Sequence, residues 1–213
     1  MAEFIRTGEA VSSADLFNRY DFGIKPAMIR SELSDLEEDG FLEQAYHSAG
    51  RVPTNSAYEW YARQSLATAK PVDNFSVDLW DMASFFAGTL GALSVVHKIA
   101  SEKLKKEGLL ELVQGADWGN KQDLAEIVAD FEEIDRRLEN IEKKLEGQDL
   151  LDVFVGQNSP VTRANSVSVF MADCWDGDER AIVLAITPKR TDYDRAGQYF
   201  KAIKEKYPKH KNI

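Results

Sequence analysis

The segment Leu36-Glu37-Glu38-Asp39-Gly40-Phe41-Leu42-Glu43-Gln44, continuing to Ser48-Ala49-Gly50-Arg51-Val52-Pro53-Thr54, constrains the fold more than any other part of the chain. A helix ends at a glycine, a short strand follows, and a turn of small residues then carries a single arginine. Glycine tolerates the left-handed backbone that stops a helix. A recognition helix, a stop and a wing follow one another in this order in a winged helix-turn-helix.

The residues upstream supply the other half of that unit. Val11 to Tyr20 reads as a short helix, with Ser12 as N-cap and Asp15 three residues on, where a carboxylate meets the positive helix end. Asp21-Phe22-Gly23-Ile24 makes the turn, and Pro26 suits the first position of the next helix because its missing N–H would be unpaired there anyway. In that helix Ile29, Leu33 and Leu36 recur at spacings of four and three, which buries one stripe. Lys25, Met28, Arg30 and Ser31 occupy the remaining faces. Arg30 can give two hydrogen bonds to a guanine edge or hold a phosphate; its bland alternative is a surface ion pair with Asp35 or Glu38. Arg51 in the wing can reach a phosphate or the minor groove, or be a turn arginine with no role. His47 can touch phosphate or be merely structural.

Charge argues against a strong nonspecific grip on nucleic acid. The net charge is −10, and residues 1–65 hold 11 acidic and 6 basic side chains. Phosphate contacts need Lys and Arg, so the few cations must share one face. Residues 187–213 reverse the balance with 8 basic and 3 acidic groups; they form either a contact for DNA and anionic partners or a solvated helix end. The hydrophobic content of 44% is that of a globular protein. No apolar run approaches the roughly 20 residues of a membrane helix, and no signal peptide is evident, so a cytoplasmic protein is expected. The one cysteine, Cys174, forms no internal disulfide and reads as core. His47, His97 and His210 show no metal-ligand spacing, and neither a phosphate-binding glycine loop nor a nucleophile motif is present. An enzyme is not expected, and no cofactor is implied.

Beyond a polar break at Lys70-Pro71-Val72-Asp73-Asn74, the apolar stretch from Val77 to Glu107 reads as one long buried helix. Asp123 to Glu146 reads as a second. Its Leu124, Ile127, Phe131, Ile134, Leu138, Ile141 and Leu145 repeat at spacings of three and four, which suits either a face packed on its own domain or a dimer seam. Glu132–Arg136 and Glu139–Lys143 flank this stripe at the favourable i,i+4 order. Leu151–Val155, Ser166–Ala172 and Ala181–Thr187 read as strands, the last two joined at Asp176-Gly177-Asp178. A final helix runs from Tyr193 to Tyr207, with Asp192 as its cap. The fold class is therefore α+β: residues 1–68 form a winged helix-turn-helix and residues 75–213 a helix-rich domain.

These segments resemble the heat-inducible transcription repressor HrcA family. Leu42-Glu43-Gln44 with Ser48 to Thr54 resembles that family's wing, and Gly8-Glu9-Ala10-Val11-Ser12-Ser13 its Gly-Glu-Pro-Val-Gly-Ser start. Ala27-Met28-Ile29-Arg30-Ser31-Glu32-Leu33 is similar to its recognition helix. Val153-Phe154-Val155-Gly156-Gln157-Asn158 resembles a segment of its GAF-like domain. Thr187-Pro188-Lys189-Arg190-Thr191-Asp192-Tyr193 is similar to its Gly-Pro-Thr-Arg-Met-Asp-Tyr motif. Lys25-Pro26 stands where the family has two serines, which removes a side-chain N-cap and adds a positive charge. Family members are considerably longer, so a reduced GAF-like domain, with helices in place of part of the sheet, is expected.

The resemblance implies a dimeric repressor of chaperone genes on an inverted-repeat DNA operator, with the chaperonin as a further partner. The DNA-reading set would be Lys25, Ala27, Met28, Arg30 and Ser31 on the helix with Ser48 and Arg51 in the wing. Two alternatives are a winged-helix regulator of another regulon responding to a small molecule, and a protein-interaction module without DNA binding.

Overall fold

A computed structural model of the chain describes residues 1–44, 50–116, 118–119, 121–144 and 149–209. The chain divides into two units, Met1–Tyr61 and Ala62–Ile213.

The first unit is helical with one small hairpin. Helix α1 spans Ala2–Thr7 and stops at Gly8, whose φ of 73° is left-handed. Helix α2 (Ser13–Arg19) opens on the expected cap: Ser12 accepts from the Asp15 N–H, and the Asp15 carboxylate accepts from the Ser12 N–H at 2.9 Å. Helix α3 (Pro26–Glu38) begins on its proline with no side-chain cap at Lys25. Strands β1 (Leu42–Gln44) and β2 (Arg51–Pro53) pair antiparallel, Glu43 opposite Val52. Helix α4 (Asn55–Thr68) follows, and the division between the units falls within it.

The second unit is a five-stranded antiparallel sheet with helices on both faces. After a 3₁₀ turn at Leu79–Asp81 come α5 (Met82–Leu90), β3 (Leu93–Lys98) and β4 (Lys103–Glu107). Then follow α6 (Leu109–Gly115), α7 (Lys121–Lys144), β5 (Leu151–Val155), β6 (Val167–Asp176), β7 (Glu179–Pro188) and α8 (Tyr193–Lys206). The strands lie in the order β4-β3-β7-β6-β5. Alternation along the central strands sends Val167, Val169 and Met171 of β6, and Ile182, Leu184 and Ile186 of β7, into one core with α6 and α7. The opposite face carries Phe170, which stacks on Phe200 of α8 at 5.5 Å between ring centroids; Phe200 in turn stacks on Phe86 of α5 at 5.2 Å.

The structure corrects the reading of residues 77–107. The expected single helix is one helix and two strands, so the sheet has five strands and was not reduced to three. Strand β3 is buried on both faces along nearly its whole length, which erases the alternation that betrays a strand. Strand β4 lies at the sheet edge with three lysines, residues that discourage edge-to-edge pairing but also favour helix in isolation.

The apolar stripe on α7 faces the sheet. Ile127, Ile134 and Leu138 are fully buried in the sheet core, with Ile141 nearly so and Phe131 packed against it. Leu124 is half-buried, and Leu145 lies outside the described residues. Of the two alternatives for this stripe, a face packed on its own domain or a dimer seam, the burial of these residues fits the first. Arg136 pairs with Glu133 at 2.8 Å, and not with Glu132; the Lys143 side chain, in the expected pair with Glu139, lies outside the described residues. Two local expectations match: the β6–β7 turn is at Gly177 (φ 64°), and Asp192 accepts the Arg195 N–H at 3.0 Å to start α8. The stripe expected on α3 is buried at Ile29 but not at Leu36, which is 41% exposed. No helix among the described residues is long and apolar enough to cross a membrane.

Candidate nucleic-acid interface

Three devices in the first unit present one face of α3. The turn before it is set by Gly23 at φ 65°, with its N–H donating to Asp21 Oδ1 at 2.9 Å. On its buried side Ile29 is 4% exposed, while Leu33 faces an apolar cleft shared with Phe4, Leu16 and Phe41. At its far end Gly40 (φ 76°) turns the chain into β1. Thr54 at the start of α4 closes that turn, its hydroxyl donating to the Gly40 carbonyl at 2.7 Å.

The residues expected to read DNA divide into two groups. Lys25, Ala27, Met28, Arg30 and Ser31 are all exposed on the first half of α3. Among the described residues no ion pair engages Arg30. The second half of the same helix is acidic: Glu32, Asp35, Glu38 and Asp39 are exposed there. Charge is thus sorted along α3, with the cations at its N-terminal end, whose backbone N–H groups also favour anions.

Arg51 stands apart from that group. Its Nε donates to Oε2 of Glu37 on α3 at 2.7 Å. Its backbone is held as well: Arg51 N–H donates to the Val11 carbonyl at 2.8 Å and its carbonyl accepts from Val11 N–H at 3.0 Å. Val11 therefore adds a third, one-residue strand to the hairpin. That approach depends on Gly50, where a Cβ would lie 2.4 Å from the Val11 carbonyl carbon. Glu37 and Val11 were missed as part of the site, since both are brought to Arg51 by tertiary pairing. His47 and Ser48 lie outside the described residues.

Glu3 pins the back of the unit. Its buried carboxylate accepts from Arg6 at 2.5 Å and from the Tyr20 hydroxyl at 2.8 Å, and it pairs with Arg19. The Arg6 hydrogen bond, then that of Tyr20, holds the Glu3 carboxyl below the usual carboxylate range.

Burial pushes the Cys174 thiol up to about 12, so it is not a thiolate nucleophile at neutral pH. No group of three or more His, Cys, Asp or Glu among the described residues is placed to hold a metal ion. A groove of about 520 Å³ between Lys70, Asp73, Asn74, Glu205 and Lys206 is largely polar.

Comparison with known proteins places the chain. The family model "HrcA protein C terminal domain" matches residues 62–196, starting where the second unit starts. The heat-inducible transcription repressor HrcA of Moorella thermoacetica is 49% identical over 59 residues, 28% of this chain and 17% of the repressor. That of Symbiobacterium thermophilum is 42% identical over 71 residues, 33% of this chain and 20% of the repressor. That of Natranaerobius thermophilus is 37% identical over 87 residues, 41% and 25% respectively. The matched stretches thus span a quarter or less of those repressors. A crystal structure at 2.2 Å of a protein described as hypothetical superposes with a TM-score of 0.69 at 16% identity, covering 95% of this chain and 91% of the other, and shares the fold. The family model covers more than half of the 213 residues, and the chain belongs to the HrcA family.

Proposed function

We propose that this chain is a DNA-binding transcriptional repressor whose first unit is a winged helix-turn-helix and whose second is a GAF-like regulatory domain. The observation that carries the reading is the first half of α3. It exposes Lys25, Ala27, Met28, Arg30 and Ser31 together, beside a hairpin joined to α3 by Arg51–Glu37, in a member of the HrcA family. In such a unit the second helix of the pair lies in the major groove and the hairpin flanks it.

Arg30 can form a bidentate contact with guanine O6 and N7, a contact worth about 1–3 kcal/mol of discrimination. Lys25 adds a point charge for a phosphate at the helix start. With so few cations, sequence-independent affinity is low, and base contacts carry a correspondingly large share of the binding. A dimer on an inverted repeat doubles the contact. Its interface lies elsewhere than the α7 stripe, which the sheet already covers. Chaperone genes as the target and the chaperonin as the signal are part of this proposal, implied by the resemblance to the HrcA family.

Hydroxyl-radical footprinting of a duplex from upstream of a chaperone operon, carrying an inverted repeat, tests the reading. Two symmetric protected patches, centred about 34–36 Å or a multiple apart along the helix, are expected. Uniform protection, or none, would contradict it.

A further inference from the structure

We propose that Arg51 is a positioning residue, not a DNA contact: through Glu37 it sets the angle of the wing against the recognition helix. The proposal rests on the DNA-binding reading above and changes what its wing arginine does.

The geometry leaves Arg51 little freedom. Its side chain is 24% exposed and that of Glu37 33%, with 2.7 Å between Nε and Oε2. The backbone on both sides is committed to Val11, and Arg51 also sits opposite Gln44 in the hairpin. The preceding Gly50 lies so close to Val11 and Ser12 that no side chain fits there. A swing of the guanidinium toward DNA would break its charge-assisted hydrogen bond to Glu37 and release the hairpin from α3.

The surroundings point the same way. Glu37 belongs to the acidic half of α3, together with exposed Asp35, Glu38 and Asp39. A phosphate at this end of the helix would meet several carboxylates. Arg51 neutralises the carboxylate nearest the hairpin and ties the hairpin to the helix that reads DNA. Half-exposed ion pairs add little to overall stability. The effect of this one falls on the relative placement of wing and helix, where small displacements cost affinity.

Titrations of an inverted-repeat operator duplex and a scrambled duplex across a salt series separate the two roles. The proteins are wild type, Arg51→Ala, Glu37→Gln, the exchange Arg51→Glu with Glu37→Arg, and Arg30→Ala. Arg51→Ala and Glu37→Gln are each expected to weaken operator binding by about tenfold, with the slope of log K against log salt unchanged. The exchange is expected to restore most of the loss. Glu37→Gln is the discriminating variant, because removing a negative charge would strengthen binding if charge alone mattered. A slope reduced by about one in Arg51→Ala, with Glu37→Gln neutral or tighter, would overturn the proposal and make Arg51 a phosphate contact. Failure of the wild type to discriminate between the duplexes would sink the DNA-binding reading itself, and this proposal with it.

Discussion

Gly108→Ala is expected to be the most destabilising single substitution of those the fold makes easy to judge. Gly108 joins β4 to α6 at φ 93°. An added Cβ would sit 1.9 Å from the Ala92 carbonyl oxygen and 2.8 Å from the Ala87 Cβ, well inside contact distance. Two penalties combine: a left-handed backbone that alanine disfavours by about 1–2 kcal/mol, and a collision with backbone that can yield only by moving β3 or α6. Leu112 of α6 is fully buried in the core below the sheet, so a shift of α6 disturbs that core. The expected cost exceeds about 4 kcal/mol, a large part of the roughly 5–15 kcal/mol that holds a domain together. Gly177→Ala is the matched control, with a similar φ of 64° and nothing within 4 Å of its Cβ; it should cost only the backbone term. Thermal melts of the two variants are expected to differ by about 5–10 °C. Equal melting temperatures would show that β3 and α6 reseat freely around the collision.

The second large effect is expected at Arg137. Its guanidinium lies 2.6 Å from the buried Asp130 carboxylate and donates to the Val161 carbonyl at 2.6 Å. It therefore fastens α7 to the segment after β5. Burial pushes the Asp130 carboxyl up from its ordinary value, with Thr162 and then Arg137 pulling it back. Arg137→Leu would leave that carboxylate without its cation and Val161 without its donor, a loss of about 3–5 kcal/mol. Adding Asp130→Asn removes the uncompensated charge and should recover much of the loss, so the two substitutions are strongly non-additive. An acid whose folded pKa is raised contributes most below its unfolded pKa and loses that contribution as pH rises through the folded value. The deficit of Arg137→Leu should therefore grow between about pH 4 and pH 8, and the double variant should lack that growth. Denaturant titrations at the two pH values check it, and a pH-independent deficit would mean that Asp130 is not the group responsible.

How much of this was legible in the sequence depends on whether a signal is local. The Ser12–Asp15 cap, Pro26 as the first residue of α3, the Gly177 turn and the Asp192 cap all act within four residues, and each appears as expected. The strand β3 was not legible, because burial on both faces replaces alternation with a continuous apolar run. Gly91 (φ 60°) and Gly108 (φ 93°), which end α5 and begin α6, were the punctuation that divided the stretch. The α7 stripe was legible as an apolar face, but spacing does not distinguish a sheet from a second helix as the surface it meets.

The candidate interface divides along the same line. Exposure of Ala27, Met28, Arg30 and Ser31 follows from helical spacing around Ile29 and Leu33, and that of Lys25 from its place before the first turn. The engagement of Arg51 with Glu37, fourteen residues earlier, depends on where the hairpin folds back, and no periodicity encodes it.

The most direct measurement is equilibrium binding of wild type and Arg30→Ala to an inverted-repeat chaperone-operator duplex and to a scrambled duplex at two salt concentrations. Tight, sequence-dependent binding by the wild type is expected, with Arg30→Ala losing about 1–3 kcal/mol of discrimination while its weak binding to the scrambled duplex changes little. Equal, weak binding of both proteins to both duplexes would contradict it.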